Sequence, residues 1–373
     1  MNRFGRISLG RVFGIPLYLD YSWFLIFALL TWLLATEYFP KEIQGWSTGL
    51  YWLLGAVTAL LLFVSVLLHE LSHSLVAMQY KINVRQITLF IFGGVSDIAG
   101  EPAKPSQEFW IAIAGPFMSF AIAVAFYALT FVFKGSIPLL ALMKYMAFIN
   151  VALGVFNLIP GFPLDGGRVL RSIVWAVSHN SSRATTIAAT VGRIFAWILI
   201  IWGVLQIFGG SLVNGLWIAF IGWFLESAAV QQSRQQAFHD MLNGHLVDEA
   251  MQSDMVTVSS DTTLRNLIDH HILGSGRRAF IVEHNGEKVG LLTLHAVREV
   301  PKEKWETTTV HELMIPEARA KTVEAHTPLW DAILKMDQDG VNQLPVMRDK
   351  KIIGILSRES TMTFLRTLQE LNL

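Results

Sequence analysis

The 373-residue sequence contains no cysteine, which excludes a disulfide framework, a thiolate metal site and a cysteine nucleophile. Charge is also scarce. Only 16% of residues are Asp, Glu, Lys or Arg, and 29 basic side chains cancel 29 acidic ones, leaving no positive excess for a nucleic-acid surface. The scarcity is uneven: residues 1–230 carry 13 basic and 9 acidic side chains, whereas residues 231–373 carry 16 and 20. Apolar residues fill the gap. They make up 53% of the chain, and the mean hydropathy of +0.45 points to a membrane protein. The chain therefore reads as an apolar part followed by an ordinary soluble part.

A helix needs about 20 mostly apolar residues to cross a bilayer, and six windows qualify, at approximately 18–36, 48–68, 109–133, 139–159, 187–208 and 212–230. The first follows Arg3, Arg6 and Arg11 with no small-residue cleavage site after it, so it reads as a retained span. Placing the N-terminus in the cytoplasm puts Arg3, Arg6, Arg11, Lys81, Arg85, Lys104, Arg168, Arg171 and Arg183 on that side, and only Lys41 and Lys134 on the other. Six crossings return the chain to the cytoplasm near Gln231, so the soluble part is expected there, on a multi-pass plasma-membrane protein. Lys144 and Arg193 lie inside spans, where snorkelling to the interface accounts for them. Two segments between spans are not simple loops. Residues 84–98 are β-branched and aromatic around Gly93-Gly94, which suggests a short sheet or hairpin against the membrane. Residues 160–167, with two prolines and three glycines, are not expected to be regular helix.

The second apolar window continues into His69-Glu70-Leu71-Ser72-His73. Histidines four apart share one helix face and can grip one metal ion, with Glu70 offset towards a water. This is the zinc-hydrolase pattern, in which the ion acidifies a water to a pKa of about 7 and a neighbouring carboxylate takes its proton. Ionisable groups at the end of a span are costly unless they are used, at roughly 3 kcal/mol each. His69 lies about 21 residues into the helix, so the ion is expected within the membrane, towards its cytoplasmic side. A catalytic zinc wants three protein ligands, and Asp165 is the best third candidate, because its broken segment falls on the same side of the membrane. Asn157 could polarise the substrate carbonyl or hold its backbone; an interhelical amide hydrogen bond accounts for it equally well.

His69-Glu70-x-x-His73, with Asn157-x-x-Pro160-x-x-Pro163-Leu164-Asp165-Gly166-Gly167 about 90 residues on, resembles the site-2 protease family of intramembrane zinc metallopeptidases. The resemblance is greatest to the six-span prokaryotic branch with a C-terminal regulatory pair; no insertion is long enough for a PDZ domain. It implies that His69, His73 and Asp165 ligate one zinc per chain. It implies that Glu70 is the general base and acid, that Asn157 lies close to the reacting carbonyl, and that Gly93 and Gly94 belong to a β segment that receives substrate. An unwound transmembrane substrate could restore its backbone hydrogen bonds on an exposed strand edge around residues 86–95; a packed cytoplasmic hairpin is the plainer reading of the same residues.

Beyond Gln231 the sequence repeats itself at a spacing of 63 to 65 residues. Phe280-Ile281-Val282 matches Leu344-Pro345-Val346, and Gly290 to Thr293 matches Gly354 to Ser357, each around a turn such as Asn285-Gly286 or Asp349-Lys350. The repeat resembles a tandem pair of CBS domains, which in many proteins senses adenine nucleotides. Where that family places an acidic residue for ribose hydroxyls, this chain has Ala296 and Ser360. Thr293 and Ser357 remain candidate ligand contacts, and a nucleotide sensor and a structural or homodimerising pair both stay open.

The expected fold is therefore a multi-pass α-helical membrane domain with a short β segment over residues 1–230, a linker over 231–245, and α/β CBS domains over 246–302 and 303–373. The expected function is hydrolysis of peptide bonds within or near the transmembrane segments of single-span proteins in the lipid bilayer. The rival is a CBS-gated transporter or channel, which predicts acidic residues spread over several spans. A third reading, an inactive relative that binds without cutting, is disfavoured by intact His69, Glu70, His73 and Asp165.

Overall fold

The computed structural model describes residues 6–275, 277–349 and 351–371, in two compact units that divide between Gln236 and Ala237. Arg3 and Lys350, invoked above for the charge bias and for a turn, lie outside the described residues.

The N-terminal unit opens with two strands, β1 (Arg6–Val12) and β2 (Ile15–Asp20). They are joined at Phe13-Gly14, where φ is +50° and +83°, a turn whose twist matches that of the flanking strands. Neither strand is anticipated from sequence, because the Ile15-x-Leu17-x-Leu19 alternation runs straight into an apolar helix and reads as its beginning. The helices of this unit are α1 (Ser22–Glu42), α2 (Thr48–Gln79), α3 (Pro105–Val132), α4 (Ile137–Asn157), α5 (Asp165–Ser178), α6 (Ser181–Phe208) and α7 (Leu212–Leu242); all except α5 are long and apolar enough to cross a bilayer. Ser47 caps α2, its Oγ accepting from the Leu50 N–H at 3.4 Å. At 32 residues α2 is about 48 Å long and outlasts the hydrocarbon core. The polar run after Gln231 is helical rather than a loose linker, since beyond Gly222 α7 meets no glycine or proline before Gly244.

Strands β3 (Asn83–Phe90) and β4 (Gly93–Ala99) form the expected hairpin, with the turn at Ile91-Phe92. The sheet order is β1-β2-β3-β4, and β2 runs parallel to β3, a pairing that needs the long crossover supplied by α1 and α2. One face of β2 buries Ile15, Leu17 and Leu19 against Leu71 and Ile87 and against Trp23, Phe63 and Leu89, which lays the sheet along α2. The expected strand edge at 86–95 is corrected in part. Ile87 to Leu89 are paired on both sides, so the part of that range on an edge of the sheet is Gly93 to Val95 of β4; β1 forms the opposite edge.

Between α4 and α5 the chain is irregular from Leu158 to Leu164. The Phe162 N–H donates to the Ala188 carbonyl at 3.2 Å, and the Phe162 ring is buried against Ala188, Ala189 and Ala229, which pins this segment to α6 and α7. Asp165, Gly166 and Gly167 were expected to be irregular and instead open α5. An acid in the first turn suits the helix dipole, and Gly166 leaves room for the Leu158 and Ile159 carbonyls packed against it. Arg171 from the loop tally and Arg193 from within a span also change meaning. Arg171 is buried in an ion pair, and Arg193, read as snorkelling, lies 3.6 Å from Glu226.

The C-terminal unit holds the two repeats. Strands β5 (Thr257–Ser259), β6 (Ala279–His284), β7 (Glu287–Thr293) and β8 (Ile315–Pro316) form one sheet in that order, and β9 (Val323–Glu324), β10 (Gln343–Arg348) and β11 (Lys351–Ser357) form the other. The matched sequence segments fall on the matched hairpins β6/β7 and β10/β11. The copies interlock. Leu242, Val247 and Ala250 are buried in the core of the second copy, while Val310 is buried in the core of the first and β8 pairs with β7. A division at residues 302 and 303 follows the repeat in sequence but cuts across both cores.

Candidate metal centre

The His69, Glu70 and His73 side chains leave the C-terminal third of α2, while Asp165 heads α5, 92 residues beyond His73 in sequence. The pinned loop brings them together. His69 Nε2 and His73 Nε2 are 3.2 Å apart, and Asp165 Oδ2 lies 3.0 and 3.2 Å from them. Both histidines are 4% exposed. His73 Nδ1–H donates to the Ile111 carbonyl at 2.6 Å, which leaves Nε2 its lone pair, and His69 Nδ1 pairs with Ser119 Oγ at 2.9 Å. Two ring nitrogens and a carboxylate oxygen thus converge in a largely buried site, an arrangement suited to a bound cation. A tetrahedral zinc with bonds of about 2.0–2.1 Å spaces its donors about 3.3 Å apart, so this donor set fits the ion in both type and spacing.

The remaining parts of the site come from α3 and the sheet. Glu70 Oε2 accepts from Ser96 Oγ on β4 at 2.8 Å, and Ser96 Oγ is also 3.3 Å from the Glu70 carbonyl. Gly94 is packed on the same side chain. A Cβ there would stand 2.5 Å from Glu70 Cγ and 3.3 Å from its Cδ. Gly115 of α3 lies directly against both imidazoles, since its Cβ would stand 2.5 Å from His69 Nε2 and closer still to His73 Nε2.

Of the residues singled out from sequence, the fold gathers His69, Glu70, His73, Asp165 and Gly94. Gly93 pairs with Phe90 at the start of β4. Asn157 is not drawn into the cluster by any hydrogen bond among the described residues; its Nδ2 donates to the Leu153 carbonyl of its own helix at 3.1 Å. Sequence reading missed Ser96, Gly115 and Ser119, which carry no motif of their own. It also missed Glu108, which is completely buried on α3 and accepts from Arg171 Nη1 at 2.9 Å. The apolar window began one residue after Glu108 and so passed over it.

The C-terminal unit carries a cavity of about 750 Å³ whose walls include Thr293, Ser357 and the cations Arg278, Arg298, Arg319, Lys321 and Arg358. Arg278 and Lys321 lie 3.8 Å from Glu359 and Asp339, whereas Arg298 and Arg319 pair with no carboxylate among the described residues. Thr293 and Ser357 each cap the helix that follows, accepting from Ala296 N at 3.4 Å and Ser360 N at 2.9 Å. Ala296 and Ser360 offer no carboxylate to a ribose.

Comparison with known proteins matches the profile of Peptidase family M50 over residues 57–137 and 135–199, and that of the CBS domain over 247–303 and 310–366. A protein of Synechocystis sp. whose name places it among the zinc metalloproteases is 35% identical over 369 residues, covering 97% of this chain and 96% of its own. Rip3 of Mycobacterium tuberculosis, also named as a zinc metalloprotease, is 34% identical over 356 residues, covering 94% of this chain and 90% of its own. The solved site-2 protease from Methanocaldococcus jannaschii is 31% identical and matches 61% of this chain and 95% of its own, with a TM-score of 0.43.

Proposed function

The chain belongs to peptidase family M50, the site-2 proteases, as a membrane zinc metalloprotease with a C-terminal CBS pair, and from that premise we propose that it hydrolyses peptide bonds within or near the membrane-spanning segments of single-span proteins. The observation that carries this reading is the convergence of His69 Nε2, His73 Nε2 and Asp165 Oδ2 at 3.0–3.2 Å, beside Glu70 and a strand edge.

His69, His73 and Asp165 would hold one zinc ion, which when bound would supply Lewis-acid polarisation and lower the pKa of a water. Glu70 takes a proton from the attacking water as the C–O bond forms, then returns it to the departing amine nitrogen as the C–N bond breaks. Ser96 Oγ donates to Glu70 Oε2 and holds the carboxylate in line for both transfers. Ser119 and the Ile111 carbonyl fix the two imidazole rings from behind. The β4 edge offers an unwound substrate the backbone hydrogen bonds it gives up on leaving its helix, with Gly93 and Gly94 at the end nearest Glu70. Asn157 is the last residue of α4, eight residues before Asp165, and serves the substrate side of the site, its amide being engaged within α4.

The CBS pair regulates this activity in the proposal. Its cavity, with two uncompensated arginines and no carboxylate at Ala296 or Ser360, suits a phosphorylated ligand gripped by its phosphates rather than by its ribose. An adenine nucleotide is one such ligand, and homodimerisation through the pair remains part of the reading. The N-terminus and the CBS pair face the cytoplasm of a plasma-membrane protein, supported by the loop cations other than buried Arg171. The test is metal analysis of the purified chain and cleavage of a defined single-span substrate by the wild type and Glu70→Gln. One zinc is expected in both, with cleavage reduced about 10²- to 10⁴-fold in the variant. Undiminished cleavage by Glu70→Gln would remove Glu70 from the mechanism, and transport without cleavage would favour the transporter reading.

A further inference from the structure

The face of α3 that touches the histidines carries one residue that the proposed chemistry does not use. Glu108, Gly115 and Ser119 are spaced by seven and eleven residues from Glu108, which places them within about 40° of one another around the helix axis. All three are buried, and Ile111, whose carbonyl accepts from His73 Nδ1, lies between them. Three of these positions act directly on the imidazoles. Glu108 instead accepts from Arg171 Nη1 at 2.9 Å, and Arg171 sits on α5 six residues, or about 9 Å of helix, after Asp165.

We propose that Glu108 and Arg171 are a positioning pair that locks α5 onto the same α3 face that orients His69 and His73, and so sets the distance from Asp165 Oδ2 to the two imidazole nitrogens. This rests on the metal-centre reading above. The pair is placed for such a task. The side chain of Glu108 is 1% exposed and that of Arg171 is 9% exposed, so their attraction is little screened, and separating them would strand a charge in a dry interior. Arg171 is also held from its outer side, where Nη2 donates to Glu101 at 3.4 Å and the guanidinium lies 5.8 Å from the centre of the Trp175 ring. The clamp is needed because of how α5 is built. This helix has only 14 residues, and the segment before it is pinned to α6 and α7, so the Arg171–Glu108 pair adds a direct tie from α5 to the helix that orients the imidazoles. Packing can hold a short helix near its neighbour, but a ligand must be held far more closely, within about 0.2 Å of its bond length.

The experiment uses the full-length protein in detergent. It measures zinc release to a chelator, the visible spectrum after cobalt substitution, and the melting temperature of the metal-free form. Arg171→Met breaks the pair outright; Arg171→Lys and Glu108→Asp keep both charges but change the reach, and they serve if the first variant does not fold. Wild type is expected to hold one zinc. The conservative variants are expected to release it about 10- to 100-fold faster, as for other groups that orient metal ligands, with a changed cobalt spectrum. Folded conservative variants with wild-type release and a wild-type cobalt spectrum would overturn the inference, whether or not their melting temperature falls, because the pair would then be structural only. Absence of any metal from the wild type would instead sink the metal-centre reading, and this inference with it.

Discussion

Gly115→Ala adds one methyl group to the α3 face beneath the two imidazoles. The new Cβ would stand 2.5 Å from His69 Nε2 and 2.6 Å from His73 Cε1, where ordinary contact begins at 3.4 Å. The shortfall of at least about 0.9 Å must be made up by moving rings or helices. A metal site tolerates roughly 0.2 Å in its bond lengths, so the displacement is several times larger than the ion can absorb. The rings have little room to retreat, since each is tethered through Nδ1 to the same helix, at Ser119 Oγ and at the Ile111 carbonyl. We expect zinc affinity to fall at least 100-fold, the upper end for groups that support metal ligands. The substitution improves intrinsic helix propensity by about 1 kcal/mol, so metal loss cannot be blamed on a weaker helix. Zinc content by mass spectrometry, read beside helicity by circular dichroism, makes the measurement. A folded Gly115→Ala protein with a full complement of zinc and wild-type release would refute the geometry on which the site rests.

Gly94→Ala places a Cβ 2.5 Å from Glu70 Cγ and leaves the three ligands alone; zinc content should be unchanged while kcat falls at least tenfold in the cleavage assay. Ser119→Ala removes the partner of His69 Nδ1, for which we expect a 10- to 100-fold weaker hold on zinc by competition with a chelator. In the C-terminal unit, the His245 side chain at 2.7 Å and the Leu246 N–H hold the Glu249 carboxyl below its ordinary value of 4.5, against a smaller opposing effect of burial. A carboxylate lowered in this way stabilises the fold fully above its ordinary range, and the contribution disappears as pH falls through the lower folded value. Glu249→Gln should therefore cost about 0.5 kcal/mol at pH 6, the scale of an exposed pair, and nothing well below pH 4; unfolding curves across that range check it, and a pH-independent difference would count against it.

Much of the fold was legible because a bilayer imposes a simple rule. Six apolar windows emerged as six long helices, with the largest boundary change at α7, where polar residues without a breaker continue the helix to Leu242. The strands before α1 were not legible, since their alternation merges with the apolar run that follows. Two histidines four apart on one helix, with Glu70 between them, are a local pattern, and helix geometry alone puts the imidazoles side by side. Asp165 is reached by placing its segment on the histidines' side of the membrane and then by resemblance, because no local rule ties a residue to another 92 positions away.

Sequence by itself determined which residues can ligate, which stretches must span, and that the soluble part is a repeat, since each of these follows from residue type and period along the chain. Tertiary structure alone decided that β4 rather than β3 offers the edge, that Ser96 holds Glu70, that the two repeats exchange segments, and that one face of α3 gathers Glu108, Gly115 and Ser119 behind the ligands. The reason is physical. A strand's neighbours, a hydroxyl's partner and a glycine's lack of room are properties of surfaces meeting in space, and those meetings are set by packing among segments that the linear order keeps far apart.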